Sequence, residues 1–211
     1  MLFLMQAMGY INLINILKNL NLFLSYISHF HLDHVSGLHV LNKFSFPQGI
    51  NIFVPKGRKK DFETLIAPPF TIPPQNLRMK VTVSETEAIE QFHAYGDHGY
   101  RVTLEDKIIA YSGDCGISKS SIPLAKDADL LIHECSYQIS DIRNQTSDKW
   151  GHVGPIEAAQ LAKDAGVKKL ILTHFDASQY TTLEARIEAE KQAQKIFPST
   201  TAATDDMVVN L

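Results

Sequence analysis

Cysteine is scarce in this chain of 211 residues: Cys115 and Cys135 are the only two, and they form no CxxC pair. A disulfide framework is thereby excluded, and isolated thiols fit a reducing setting, here taken as the cytoplasm. No excess of one charge is present, with 20 basic against 23 acidic side chains, so sequence-independent attachment to polyphosphate has no global driving force. Low-complexity tracts and internal repeats are missing, and the ordinary balance of apolar and charged residues reads as a single globular domain over residues 1–211. Long apolar runs are missing too. Residues 1–28 are strongly apolar with one charge, Lys18, but Gln6, Asn12, Asn15, Asn19, Asn21 and Ser25 interrupt them. A spanning helix needs about 20 uninterrupted apolar residues, and no positive n-region or small-residue cleavage site marks a secretory signal. The stretch reads instead as a buried helix near residues 11–20 and a buried strand near 22–27, with no membrane attachment.

The remaining pattern alternates between short apolar strands and helices. Helical character over 35–41 precedes a strand at 49–55 and a basic turn, Gly57-Arg58-Lys59-Lys60. Residues 67–76 hold four prolines, which remove ladder donors and mark a surface loop. Strands follow at 77–83, 88–93, 99–104 and 107–112, rich in β-branched and aromatic residues, with Glu105-Asp106 as a hairpin turn. A strand at 129–134, a helix at 155–165 opening on Pro155, a strand at 169–173, a helix at 183–195 and a strand at 207–209 complete the chain. Strands in both halves with helices between them predict an α/β domain of two helix-covered sheets.

The densest chemistry is Ser28-His29-Phe30-His31-Leu32-Asp33-His34, three imidazoles and a carboxylate at the end of an apolar strand. Two residues apart, His29 and His31 can share one side, while Asp33 and His34 fall where a helix begins and turn toward a neighbouring point. That set suits two adjacent ions bound through nitrogen and oxygen, zinc or a similar first-row metal such as manganese or iron. Further ligands belong at other strand ends, where His93, Asp114 and His174 lie. A carboxylate such as Asp114 has two oxygens, enough to bridge a metal pair. No GxSxG elbow occurs, and neither cysteine has an evident histidine base.

These residues resemble those of the metallo-β-lactamase-fold superfamily, in the branch that includes ribonuclease Z and related phosphodiesterases. The resemblance runs from the His29–His34 motif through His93, Ser112-Gly113-Asp114, His133-Glu134-Cys135, Gly151-His152 and Leu172-Thr173-His174-Phe175. It implies a four-layer αββα sandwich and two divalent ions. His29, His31 and His93 would hold one, Asp33, His34 and His174 the other, and Asp114 would bridge them. A hydroxide bridging the ions and oriented by Asp33 would attack phosphorus, with His152 and Glu134 assisting the departing oxygen. His98 competes with His93, but Gly99-Tyr100-Arg101 stands at the distance that favours His93 and leaves His98 in a loop. His39 and His133 read as structural.

Two departures from the family pattern shape the substrate. Only about 28 residues precede His29, so the first sheet is expected to be incomplete at its N-terminal edge and to need a partner or a second copy of the chain, a homodimer, as cover. Just 21 positions separate His93 from Asp114, where transfer-RNA-processing members commonly carry a long gripping arm. The leading reading is therefore a metal-dependent phosphodiesterase for a small-molecule or short-oligonucleotide substrate, with structured RNA disfavoured. Alternatives are a ribonuclease Z-type RNA 3′-end endonuclease, and a catalytically incomplete metal-binding fragment that needs a partner. The segment 138–150 is the expected substrate-facing cover, with Trp150 available to stack a ring.

Overall fold

The computed structural model describes residues 2–6, 9–12, 24–43, 46–138, 150–205, 207, 209 and 211. Two compact units divide the chain, Met1–Glu87 with Thr204–Leu211, and Ala88–Ala203. The α/β class expected from the sequence is the class observed, with one mixed sheet in each unit.

In the first unit, strands β1 (Leu2–Gln6), β2 (Gly9–Asn12), β3 (Leu24–Tyr26), β4 (Ile50–Pro55) and β5 (Val81–Thr86) lie in the order β2-β1-β3-β4-β5. β1 and β2 pair antiparallel, and the other neighbours are parallel. The helix expected over 11–20 is corrected in part: Ile11 and Asn12 belong to β2, and the rest lies outside the described residues. Helix α1 (Leu32–Val35) runs on into a 3-10 helix, Ser36–Lys43. What the sequence suggested as a basic turn opens helix α2 (Lys59–Leu65), because Glu85 on β5 accepts the Gly57 and Lys59 amides at 3.1 and 3.2 Å and satisfies donors a helix start leaves open. Ile27, Val35, Ile52, Val54 and Phe62 form the centre of this unit's core; each such side chain removed from water contributes roughly 1.5–3 kcal/mol. The strand expected at 77–83 starts later, at Val81, after a 3-10 turn at Pro74–Asn76.

In the second unit, β6 (Ile89–Gln91), β7 (Asp97–Leu104), β8 (Lys107–Tyr111), β9 (Leu130–Glu134), β10 (Leu170–Thr173) and β11 (Thr200–Ala202) lie in the order β11-β10-β9-β8-β7-β6. The β7–β8 hairpin turns at Glu105, whose φ is +55°. Strands β8 to β11 are mutually parallel, and β9 and β10 are buried along their length, which explains their uninterrupted apolar runs. Helices α3 (Ser121–Ala125), α4 (Pro155–Asp164) and α5 (Leu183–Gln194) connect them. Pro155 opens α4 at a position whose N–H has no helical partner, and the small buried residues Ala158, Ala159 and Ala162 pack into the core with Leu131, Leu170 and Leu172. The last strand is a correction: residues 207 and 209 are not in a strand, and the sheet closes with Thr200–Ala202. Its polar sequence is held there because Glu190 accepts the Ala202 amide at 2.7 Å and Gln194 donates to the Thr200 carbonyl at 2.9 Å. Among the described residues no helix is long and apolar enough to cross a membrane.

Strand direction decides where the chemistry of this unit gathers. β7 is antiparallel to both β6 and β8, so β6, β8, β9 and β10 all end at one edge, and β7 begins there. His93, Asp114, Glu134 and His174 follow or finish those four strands, at the carboxyl edge where ligands bind in open α/β sheets.

Candidate functional site

The first unit contributes a compact imidazole cluster. After β3 the chain leaves the sheet, and His31, extended at ψ 143°, turns it into α1, where the His34 amide donates to the His31 carbonyl at 3.0 Å. This corner brings the His29 ring to 4.4 Å from His31 and 4.2 Å from His34, centroid to centroid. His34 Nε2 lies 3.2 Å from the carboxylate of exposed Asp33, and Ser28 Oγ lies 3.1 Å from His29 Nδ1. His29 and His34 are buried. Three imidazoles packed this closely make a set of nitrogen donors suited to a divalent first-row cation.

The second unit holds a second cluster. Asp114 Oδ2 and His174 Nε2 are 3.1 Å apart, close to the roughly 3.4 Å expected between two ligand atoms that each sit about 2.1 Å from one tetrahedral ion. Ligand atoms of His93, Asp114 and His152 also lie within 4.8 Å of one another, as do those of Glu134, His152 and His174. The His152 ring stands 5.0 Å from His93 and 5.8 Å from His174. This nitrogen and carboxylate set fits a divalent first-row ion.

A ring of hydrogen bonds orients these side chains. The fully buried Glu134 carboxylate accepts the Cys115 amide (3.1 Å), the Ser136 amide (2.9 Å) and His152 Nδ1–H (2.9 Å). Burial works against a charged His152, but the hydrogen bond and charge of Glu134, with Asp114 and Asp176 beyond, outweigh it and raise its pKa. The Ser136 hydroxyl donates to the His174 carbonyl at 3.1 Å and faces His174 Nδ1 at 2.8 Å. With the hydroxyl proton on that carbonyl, Nδ1–H donates to the Ser136 oxygen, the tautomer that leaves the Nε2 lone pair toward Asp114 for an ion. His174 takes φ +54°, a left-handed conformation uncommon outside glycine, which turns its carbonyl and ring onto that one hydroxyl.

The loop carrying Asp114 is shaped by close approach. Gly113 has φ +66°, and a Cβ there would fall 1.9 Å from Oδ2 of the fully buried Asp97. Asp97 and Ser136 were not singled out from sequence; both act through tertiary contact and stand in no spacing pattern. His133 is buried with Nδ1 2.9 Å from the Glu134 carbonyl oxygen, and burial lowers its pKa. His39 bonds the Ser36 carbonyl. His98 is corrected from loop to strand, within β7 opposite Glu90. Both thiols are raised, Cys115 by burial and then the charge of Glu134, Cys135 by burial, which removes them as nucleophiles. Of the expected cover, residues 139–149 lie outside the described residues, while Trp150 is half exposed.

The model of the beta-lactamase superfamily domain matches residues 26–175. Ribonuclease Z of Brevibacillus brevis is 39% identical over 126 residues, which cover 51% of this chain and 39% of that protein. The chain thus spans well under half of that relative. Ribonuclease Z of Bacillus subtilis is 28% identical over an alignment of 253 residues, covering 88% of this chain and 80% of that protein. Because 88% of this chain is about 186 residues, roughly 67 aligned positions of the Bacillus protein have no counterpart here. Among solved structures, a metallo-β-lactamase fold protein from Bacillus subtilis matches with a TM-score of 0.64 at 20% identity, over 86% of this chain and 75% of its own. Human tRNase Z, short form, matches at 0.64 and 23%, over 89% of this chain and 78% of its own. At those identities the likeness is one of fold.

Proposed function

This chain belongs to the beta-lactamase superfamily domain family, and from that premise we propose that it is a metal-dependent hydrolase of phosphodiesters whose substrate is a small molecule or short oligonucleotide. The observation that carries the reading is the convergence of His93, Asp114, His152 and His174 at one strand edge, with Asp114 and His174 presenting an oxygen and a nitrogen 3.1 Å apart. On the resemblance of its motifs, His29, His31 and His93 would hold one ion, Asp33, His34 and His174 a second, and Asp114 would serve both. Two bound divalent ions, zinc in the first instance, supply Lewis-acid charge and acidify water.

The chain's own residues do the rest. Asp33, exposed beside His34, accepts a hydrogen bond from the attacking water and aims it. His152, held by Glu134, donates a proton to the departing oxygen. Glu134 acts through His152, fixing its tautomer and orientation.

Arm length favours small substrates over structured RNA. The 21 positions between His93 and Asp114 leave no room for a protruding arm in that interval. The second reading, an RNA 3′-end endonuclease, is favoured by one observation: the relatives matched over most of this chain carry the name ribonuclease Z. Turnover of bis(p-nitrophenyl) phosphate and of a precursor transfer RNA, with zinc or manganese and with chelator, separates the readings. Diester hydrolysis that chelator abolishes, with the precursor left uncut, supports the first; accurate 3′ cleavage supports the second; no hydrolysis of either contradicts both.

A further inference from the structure

We infer that Tyr95 and Trp150 form a stacking subsite for a planar nucleobase of the substrate, an inference that rests on the phosphodiester reading above. Tyr95 and Trp150 are large aromatic residues left 70% and 50% exposed. Each stands two residues from an imidazole of the candidate site, Tyr95 from His93 and Trp150 from His152, so each Cα lies within about 7 Å of that histidine's Cα.

Their placement is built by the backbone. The Ala94 amide donates to the Trp150 carbonyl at 3.2 Å, and the Gly96 amide closes a turn on the His93 carbonyl at 3.2 Å. Gly151, at φ +73°, lets the two segments touch, because a Cβ there would come 2.3 Å from the Phe92 carbonyl oxygen. The same clasp sets His93 and His152 ring to ring at 5.0 Å. Imidazoles and aromatic side chains are therefore positioned by one local structure.

The ring geometry suits a third planar partner. The Tyr95 and Trp150 centroids are 6.4 Å apart at 46°, near the outer limit of an aromatic pair and tilted, so neither ring covers the other's face. Exposed apolar rings beside a polar site favour a ligand that is charged at one end and flat at the other, which describes a nucleotide better than an alkyl phosphate. With only 21 positions between His93 and Asp114, contacts beside the site are the ones available to hold the base.

Trp150 is the chain's single tryptophan, so its emission reports on this subsite without turnover. The metal-loaded protein is titrated with adenosine 5′-monophosphate and with ribose 5-phosphate. Saturable quenching by the nucleotide alone is expected, with its affinity lowered about tenfold in Tyr95→Ala. In steady-state hydrolysis of uridylyl-(3′→5′)-adenosine, Tyr95→Ala and Trp150→Ala are each expected to raise KM about tenfold with kcat within about twofold, while Trp150→Phe keeps the parent KM. Equal quenching by both ligands, or no quenching with KM unchanged in both alanine variants, overturns the subsite while diester turnover leaves the phosphodiesterase reading in place. Absence of all diester hydrolysis with nucleotide-specific quenching retained overturns that reading and supports the subsite. Melting of each variant within a few degrees of the parent ensures that a change in KM is not a change in folding.

Discussion

Replacing Glu134 tests whether the candidate site is organised by a buried acceptor or by a metal ligand. Its carboxylate has no solvent exposure and receives three donors, the amides of buried Cys115 and Ser136 and the ring of His152. Glu134→Ala strands both amides, and each buried donor left without an acceptor costs about 1–3 kcal/mol, so about 2–6 kcal/mol of stability is at stake before any cavity term. Glu134→Gln is the sharper variant, since it keeps the volume but has one acceptor oxygen. If that oxygen faces Cys115 and His152, the amide NH2 points at the Ser136 N–H, donor against donor; the flipped rotamer transfers the conflict to Cys115. A loss of about 1–3 kcal/mol is expected, with hydrolysis reduced about 10²- to 10⁴-fold if proton donation by His152 depends on it. Guanidinium unfolding at pH 7 reads the first quantity, steady-state turnover the second and elemental analysis the metal content, which should be unchanged in the glutamine variant. Stability within about 0.5 kcal/mol of the parent would refute the hydrogen-bond argument, and metal lost from a folded glutamine variant would make Glu134 a ligand instead.

Three further outcomes are expected from other parts of the second unit. Asp129 is held ionised, its pKa lowered first by the Ile108 amide at 2.8 Å and then by Lys168 at 2.7 Å; a depressed carboxyl contributes stability above its unfolded pKa of about 3.9 and loses it as pH falls through the lower folded value. Asp129→Ala should thus cost about 1–3 kcal/mol at pH 7, the gap narrowing below about pH 4, as followed by denaturation across pH; Lys168 is largely exposed, so little of that loss belongs to the ion pair. Gly113→Ala should lower stability by about 2–5 kcal/mol, from its left-handed backbone and from the collision with Asp97, and an unchanged unfolding midpoint would contradict the close approach. Ser136→Ala should weaken metal binding about 10- to 100-fold by releasing the His174 tautomer, with Ser136→Thr restoring it; competition with a chromogenic chelator measures both.

The legible parts of the fold were those written in local pattern. The runs Leu-Leu-Ile-His-Glu and Leu-Ile-Leu-Thr announce β9 and β10 because central parallel strands are buried on both faces, and Pro155 marks the start of α4. The His29–His34 segment is legible because four ligand-type side chains in six residues have few other uses. Strand β11 was hidden by its polar residues, which pair with β10 and are braced by the side chains of Glu190 and Gln194 on α5. Helix α2 was read as a turn because its start is satisfied by Glu85, a residue distant in sequence. Ser136 and Asp97 were silent for the same reason: a hydroxyl that sets a tautomer and a carboxylate pressed on a glycine acquire meaning only when strands remote in the chain end at one edge.

Whether these histidines and aspartates form a metal site is read by elemental analysis of the purified chain loaded with zinc and freed of excess ion, beside His31→Ala. About two ions per chain, falling by at least one in the variant while both proteins remain folded, is the predicted result. A folded parent that retains no metal, or a variant that retains as much as the parent, would contradict it.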